Sequence, residues 1–193
     1  MALSEYLISK RDVIMERWLR EALESYPDQS RHFLSHVKDP FANPIGATLT
    51  KELSALLDGL LAGSDPAAAT SPLDAIIKIR SVQGLTPSQA LAFIFQLKQI
   101  VREVVRESAE KDIAAPQAVR EALAFDAKVD ELALLAFDLY AANREKICAI
   151  RIGEMKRSLF VIERASRPLD APGPDPAPES ASIDRGLQNE PKP

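Results

Sequence analysis

A single cysteine, Cys148, stands among 193 residues, so no disulfide can form within the chain and its stability has to come from packing. Histidine is nearly as scarce, with only His32 and His36. Aromatic residues make up 6% and β-branched residues do not gather in runs, which leaves little from which to build strands. No stretch of 18 uninterrupted apolar residues occurs, so no membrane insertion is expected. Also missing are a nucleophile elbow, a phosphate-binding loop, a dinucleotide fingerprint and an HExxH motif. Acidic residues are scattered, and no nucleophile–base pair is in view, so catalysis is not expected.

Concentrated positive charge is absent too. The net charge is −4, and from Pro168 onward two basic residues (Arg185, Lys192) meet five acidic ones (Asp170, Asp175, Glu179, Asp184, Glu190). The body before Pro168 is therefore close to neutral, with the signs interspersed. Phosphate binding needs a basic surface, so nucleic acid is not an expected partner. The N-terminal MALSEYLISKRDVIMERW carries charges within its first dozen residues, unlike a secretory leader, and a cytoplasmic protein is expected.

What the chain does hold is Ala, Leu, Glu, Lys, Arg and Gln, the residues that favour helix. Leu3, Leu7, Ile14, Trp18 and Ala22 recur at helical spacing over residues 3 to 25, and Pro27 ends that helix. A short helix is expected over 28 to 37. KDPFANPIG then reads as a loop, and a third helix over 45 to 62 turns Leu49, Leu53, Leu56, Leu57 and Leu60 inward. After the loop GSDPAAATS, Ser71 caps a helix with Pro72 at its first position, ending near Gln83 before Gly84.

Thr86, Pro87 and Gln89 then form a capping box with proline at the first helical position. The helix they open, to about Lys111, carries the stripe Ile94, Leu97, Val101, Val104 and Ser108. Its first half is apolar almost all round, which marks a central helix. Asp112 to Ala115 is a link, and Pro116 opens a last helical region with no further proline until Pro168. A bend near Phe125 to Val129 is expected, because an unbroken helix there exceeds what a domain of this size needs. Val129, Leu132, Ala136, Leu139, Asn143 and Ile150 fit the a and d positions of a dimerising helix pair.

Residues 1 to 167 thus read as one all-α domain of six or seven helices ending in a long C-terminal helix. A globin-like packing and an irregular helical bundle both fit. Residues 168 to 193 hold seven of the fourteen prolines and are expected to be a disordered tail.

Two segments carry a resemblance. DPFANPIGATL (39 to 49) and IRSVQGLTPSQALAFIFQLK (79 to 98), with Trp18 in a helix and the Tyr26–Pro27 break, resemble the N-terminal sensor domain of RsbRD-type co-antagonists. These are regulators of the bacterial general stress response and of stressosome assembly. The resemblance spans about residues 5 to 150. It implies a non-haem, globin-like input module that dimerises and signals down a C-terminal helix, leading in full-length members to a STAS output domain. After residue 167 only the Pro-rich tail follows here, so a partner bound in trans is expected instead.

Candidate chemistry is sparse. Arg80, Gln83, Ser88 and Gln89 bracket the break before the central helix, whose free N–H groups point there, and they form either a small-anion site or a structural corner. Asn43, before Pro44, belongs to the same set of ligand or corner residues. His32 and His36 lie one helical turn apart and could share a metal, but no second Cys/His cluster supplies further ligands. Haem needs an axial ligand in an apolar pocket, and both histidines fall early for that role. Cys148, near Arg144, Lys146 and Arg151, is a candidate redox sensor.

The function these observations favour is a non-catalytic sensor or regulatory module without a cofactor. It would work as a homodimer and through protein partners of the stressosome type. The alternative is a haem- or metal-binding accessory protein of a redox complex.

Overall fold

In the computed structural model, residues 3–37, 39–108 and 115–165 are described. They form seven α-helices: α1 (Leu3–Ser9), α2 (Arg11–Leu23), α3 (Asp28–His36), α4 (Pro44–Ala62), α5 (Thr70–Val82), α6 (Pro87–Ser108) and α7 (Ala115–Ala165). A 3-10 turn, Pro66–Ala69, precedes α5. No strand occurs among the described residues, and the all-α class with its long C-terminal helix stands. The chain divides into two units, residues 1–152 and 153–193. The expected Pro-rich tail over 168–193, the expected helix end near Lys111 and the expected link over 112–115 lie outside the described residues, apart from Ala115, which already belongs to α7.

The core of the first unit is made by one stripe from each long helix. Ile14, Trp18 and Ala22 of α2 meet Leu49, Leu53 and Leu57 of α4, Ile76 and Ile77 of α5, Phe93, Ile94 and Leu97 of α6, and Val129 and Ala136 of α7. Trp18 is fully buried, and its indole Nε1 donates to the Phe93 carbonyl at 2.7 Å. A large ring thus enters the core with its one polar atom satisfied.

Three sequence expectations shift. The helix expected over 3 to 25 is two helices, parted at Lys10. Ser9 Oγ donates to the Tyr6 carbonyl at 2.7 Å, and this back-bonding competes with the helical ladder where α1 stops. The start of α5 is not capped by Ser71. Asp65, followed by Pro66, accepts the Ala67 N–H at 2.9 Å and opens the 3-10 turn, from which α5 continues at Thr70. It is the same kind of signal, a capping side chain followed by proline, six residues earlier.

The third shift concerns α7. No break falls at Phe125 to Val129; both residues are buried within one continuous helix. The stretch from Val119 to Ala165 has no proline and is rich in strong helix formers, so nothing local stops it. Val129, Leu132, Ala136 and Asn143, read as a seam for a second chain, are buried in this chain's own fold, while Ile150 is exposed. The capping box at α6 forms as expected: Thr86 N–H donates to Gln89 Oε1 at 3.0 Å, and Gln89 N–H to Thr86 Oγ1 at 3.3 Å.

Candidate functional site

The α5–α6 corner is organised by Arg80. Its side chain is 1% exposed, and it faces backbone rather than an acid. Nε donates to the Ala90 carbonyl at 2.8 Å and Nη1 to the Ala22 carbonyl at 3.1 Å. Nη2 donates to Ser25 Oγ at 2.9 Å and to the Gln89 carbonyl at 3.0 Å. The guanidinium also lies over the Phe93 ring, 5.1 Å from its centroid, and 5.9 Å from that of Tyr26. Burial pushes the Arg80 pKa below its ordinary value, against a smaller opposing effect of Tyr26. Arginine stays charged regardless, and its fork geometry suits several acceptors at once.

Gly84, at φ 72, turns the chain between α5 and α6. Three side chains of α7 fasten onto α5 and this corner. Tyr140 Oη donates to the Leu85 carbonyl at 3.2 Å, and Arg144 Nη1 to the Ser81 carbonyl at 3.3 Å. Asn143 Nδ2 donates to Asp74 Oδ1 at 3.3 Å. Lys78 and, less strongly, Asn143 hold the Asp74 carboxyl below its usual range.

The other sequence candidates are distributed around this centre. Gln89 joins Arg80 through its carbonyl, while its side chain serves the cap. Ser88 Oγ lies 3.1 Å from Thr86 Oγ1 on the exposed first turn of α6. Asn43 caps α4: its Oδ1 accepts the Gly46 N–H at 2.9 Å, and its Nδ2 donates to the Leu34 and Val37 carbonyls at 2.9 and 2.8 Å. A Cβ at Gly46 would sit 2.2 Å from Asn43 Nδ2, so the cap and the glycine require each other. Asn43 and Gln83 come together along a cleft of about 500 Å³ that also has Tyr26, Phe33 and Ile45 in its walls. Tyr26 Oη and Gln83 Oε1 are both sealed from solvent without a hydrogen-bond partner among the described residues.

His32 and His36 stack on the exposed side of α3, with ring centroids 4.1 Å apart. His36 Nδ1 lies 3.0 Å from the His32 carbonyl and 2.8 Å from Ser35 Oγ. Among the described residues, no group of three His, Cys, Asp or Glu side chains could hold a metal ion. Cys148 is exposed on α7. None of the described helices is long and apolar enough to cross a membrane.

One cleft escaped the sequence reading. It measures about 810 Å³ and lies between the end of α4, the 3-10 turn and α7. Leu56, Leu60, Leu132 and Leu135 supply apolar walls, and Gly59, Gly63 and Ala67–Ala69 supply a wall almost without side chains. Lys128 and Glu131 of α7 stand at its edge. Gly59 inside a helix, followed by GSDPAAAT, was the available signal, but small residues alone also describe an ordinary loop.

A family model described as RsbT co-antagonist protein rsbRD N-terminal domain matches residues 12–153. The match opens at the second residue of α2 and ends at the boundary between the two units. No curated protein and no solved structure matches the chain.

Proposed function

Because the chain belongs to the family of rsbRD N-terminal domains, which are stress-response regulators, we propose that it is a non-catalytic input module that acts through protein partners. It works as a cytoplasmic homodimer, and α7 is the element its partners read.

The observation that carries this reading is the outer end of α7. From Gly153 onward, Met155, Leu159, Phe160, Val161 and Ile162 are each more than half exposed. Met155, Leu159 and Ile162 follow the four-then-three spacing of a coiled-coil seam. A soluble monomer rarely leaves such a patch bare, so a second copy covering it accounts for the pattern.

The contacts of Tyr140, Asn143 and Arg144 with the α5–α6 corner give a signal a route onto α7. A ligand or partner moves this balance only if it binds one arrangement of corner and helix better than the other.

Native mass spectrometry tests the dimer. The wild-type chain of 21.2 kDa is expected at twice its mass, and the double substitution Met155→Glu, Leu159→Glu at a single mass with an unchanged melting temperature. A wild-type chain that stays monomeric at all concentrations would remove the homodimer and leave the partner reading to stand without it.

A further inference from the structure

We propose that the cleft between α4, the 3-10 turn and α7 is a binding site for a small apolar carboxylic acid, whose chain lies against Gly59 and the leucine walls and whose carboxylate meets Lys128.

The volume comes first. About 810 Å³ falls within the range of ligand-binding clefts, and the walls are mainly Leu and Ala. Such a surface favours an apolar body.

Gly59 is the second observation. It lies inside α4, more than three turns from the helix start, and its φ is not in the left-handed region. A Cβ built there would meet only Ser64 Cβ, at an ordinary 3.9 Å. Neither backbone conformation nor crowding therefore calls for glycine, and alanine would make the better helix. Gly63, one turn on, is different: its φ of +68 requires glycine for the C-cap. What a side chain at position 59 would change is the cleft, because Gly59 forms part of its wall. The glycine keeps that space open at the expense of helix stability.

Charge at the edge selects the head group. Lys128 is the one cationic residue lining the cleft, and it makes no ion pair among the described residues. Of the three acids in the lining, Asp58 is gripped by Arg11, and Asp65 Oδ1 is engaged by the Ala67 N–H. Glu131 lies one turn from Lys128 without pairing with it. Lys128 also lines a smaller cleft of about 170 Å³ bounded by Leu3, Leu7, Leu60 and Phe125. That smaller cleft also has Glu121 in its lining, whereas in the larger one Lys128 Nζ lies 3.3 Å from where a Cβ on Gly63 would sit, so a chain lying in the larger cleft can bring a carboxylate to it.

The test is calorimetric titration of the whole chain with decanoate, decanol and decylamine, each below its aggregation concentration. Decanoate is expected to bind saturably and more tightly than the other two. Lys128→Met should weaken decanoate two- to five-fold, as for an exposed ion pair, and leave decanol unchanged. Gly59→Leu should abolish binding of decanoate while the melting temperature holds or rises; Ala55→Leu, one turn earlier on the same wall, repeats the test if that variant folds poorly. Absence of decanoate binding, decanoate binding that survives both cleft-filling variants, or tighter binding of decanol or decylamine would overturn the assignment. These readouts do not involve the partner or the dimer, so the site can fail while the regulatory reading stands.

Discussion

Arg80 on α5 donates from Nη1 to the carbonyl of Ala22 on α2, 58 residues earlier, at 3.1 Å. The same guanidinium reaches Ala90 and Gln89 in the first turn of α6. One buried cation therefore ties three helices together through their backbones. Ala22 lies in the last turn of α2, where a carbonyl has no intrahelical donor, and Arg80 supplies one.

Replacing Arg80 by alanine removes all four hydrogen bonds and the ring contacts while leaving buried acceptors behind. A loss of about 3 kcal/mol is expected, in the range for truncating a buried hydrogen-bonded charge. Arg80→Lys should recover little of it, since one ammonium cannot span the same acceptors. Urea denaturation followed by circular dichroism measures both. A variant as stable as wild type would show that the corner does not depend on this side chain.

Gly59 and Gly63 should respond in opposite directions. Alanine at Gly63 is forced into a left-handed conformation at φ +68 and places its Cβ 3.3 Å from Lys128 Nζ. A destabilisation of about 1–2 kcal/mol is expected. Alanine at Gly59 enters ordinary helix with room to spare and should stabilise by up to about 1 kcal/mol. Thermal melts of the two single variants decide this, and a shift of the same sign in both would contradict the difference in backbone between the two positions.

Acid should release one helix-to-helix clamp. Arg11 of α2 grips Asp58 of α4 with Nε to Oδ1 at 2.6 Å and Nη2 to Oδ2 at 2.8 Å. This hydrogen bonding holds the Asp58 carboxyl below its usual range, against a smaller opposing effect of burial. A carboxylate with a lowered folded-state pKa adds stability above its unfolded pKa of about 4, and that stability is lost as pH falls through the folded value. Asp58→Asn should therefore flatten the acid limb of a stability–pH curve below about pH 4 and change little near neutrality, since the pair is partly exposed and screened. An unaltered acid limb in the variant would show that the clamp adds nothing.

The local signals in the sequence were largely sufficient where they concerned helix starts. Thr86, Pro87 and Gln89 announce α6, and the side chains make the reciprocal bonds that such a box implies. Asn43 before Pro44 carries the same kind of signal at α4, although in sequence both read as part of a loop. Those signals work because a cap joins residues only two or three apart. They fail where two such signals compete, as with Asp65–Pro66 against Ser71–Pro72, and where a hydroxyl turns back on its own helix, as at Ser9.

The candidate residues were legible as chemistry but not as direction. Arg80 reads in sequence as a cation beside a helix start, either open to an anion or holding a corner together. In the fold it points inward to backbone carbonyls contributed by α2 and α6. The apolar repeat of α7 likewise reads as a seam, but spacing cannot say whether a face meets its own chain or another. Val129 and Ala136 are buried in the chain's own core, whereas Met155 and Leu159 stay exposed.

By itself the sequence determined the helical class, the capping box of α6 and the family, because each is written in residues a few positions apart. Tertiary structure alone decided what Arg80 binds, which stretch of α7 is buried, and that Gly59, Lys128 and Leu135 border one cleft. Those relations join positions far apart in the chain, and only the packing of whole helices brings them together.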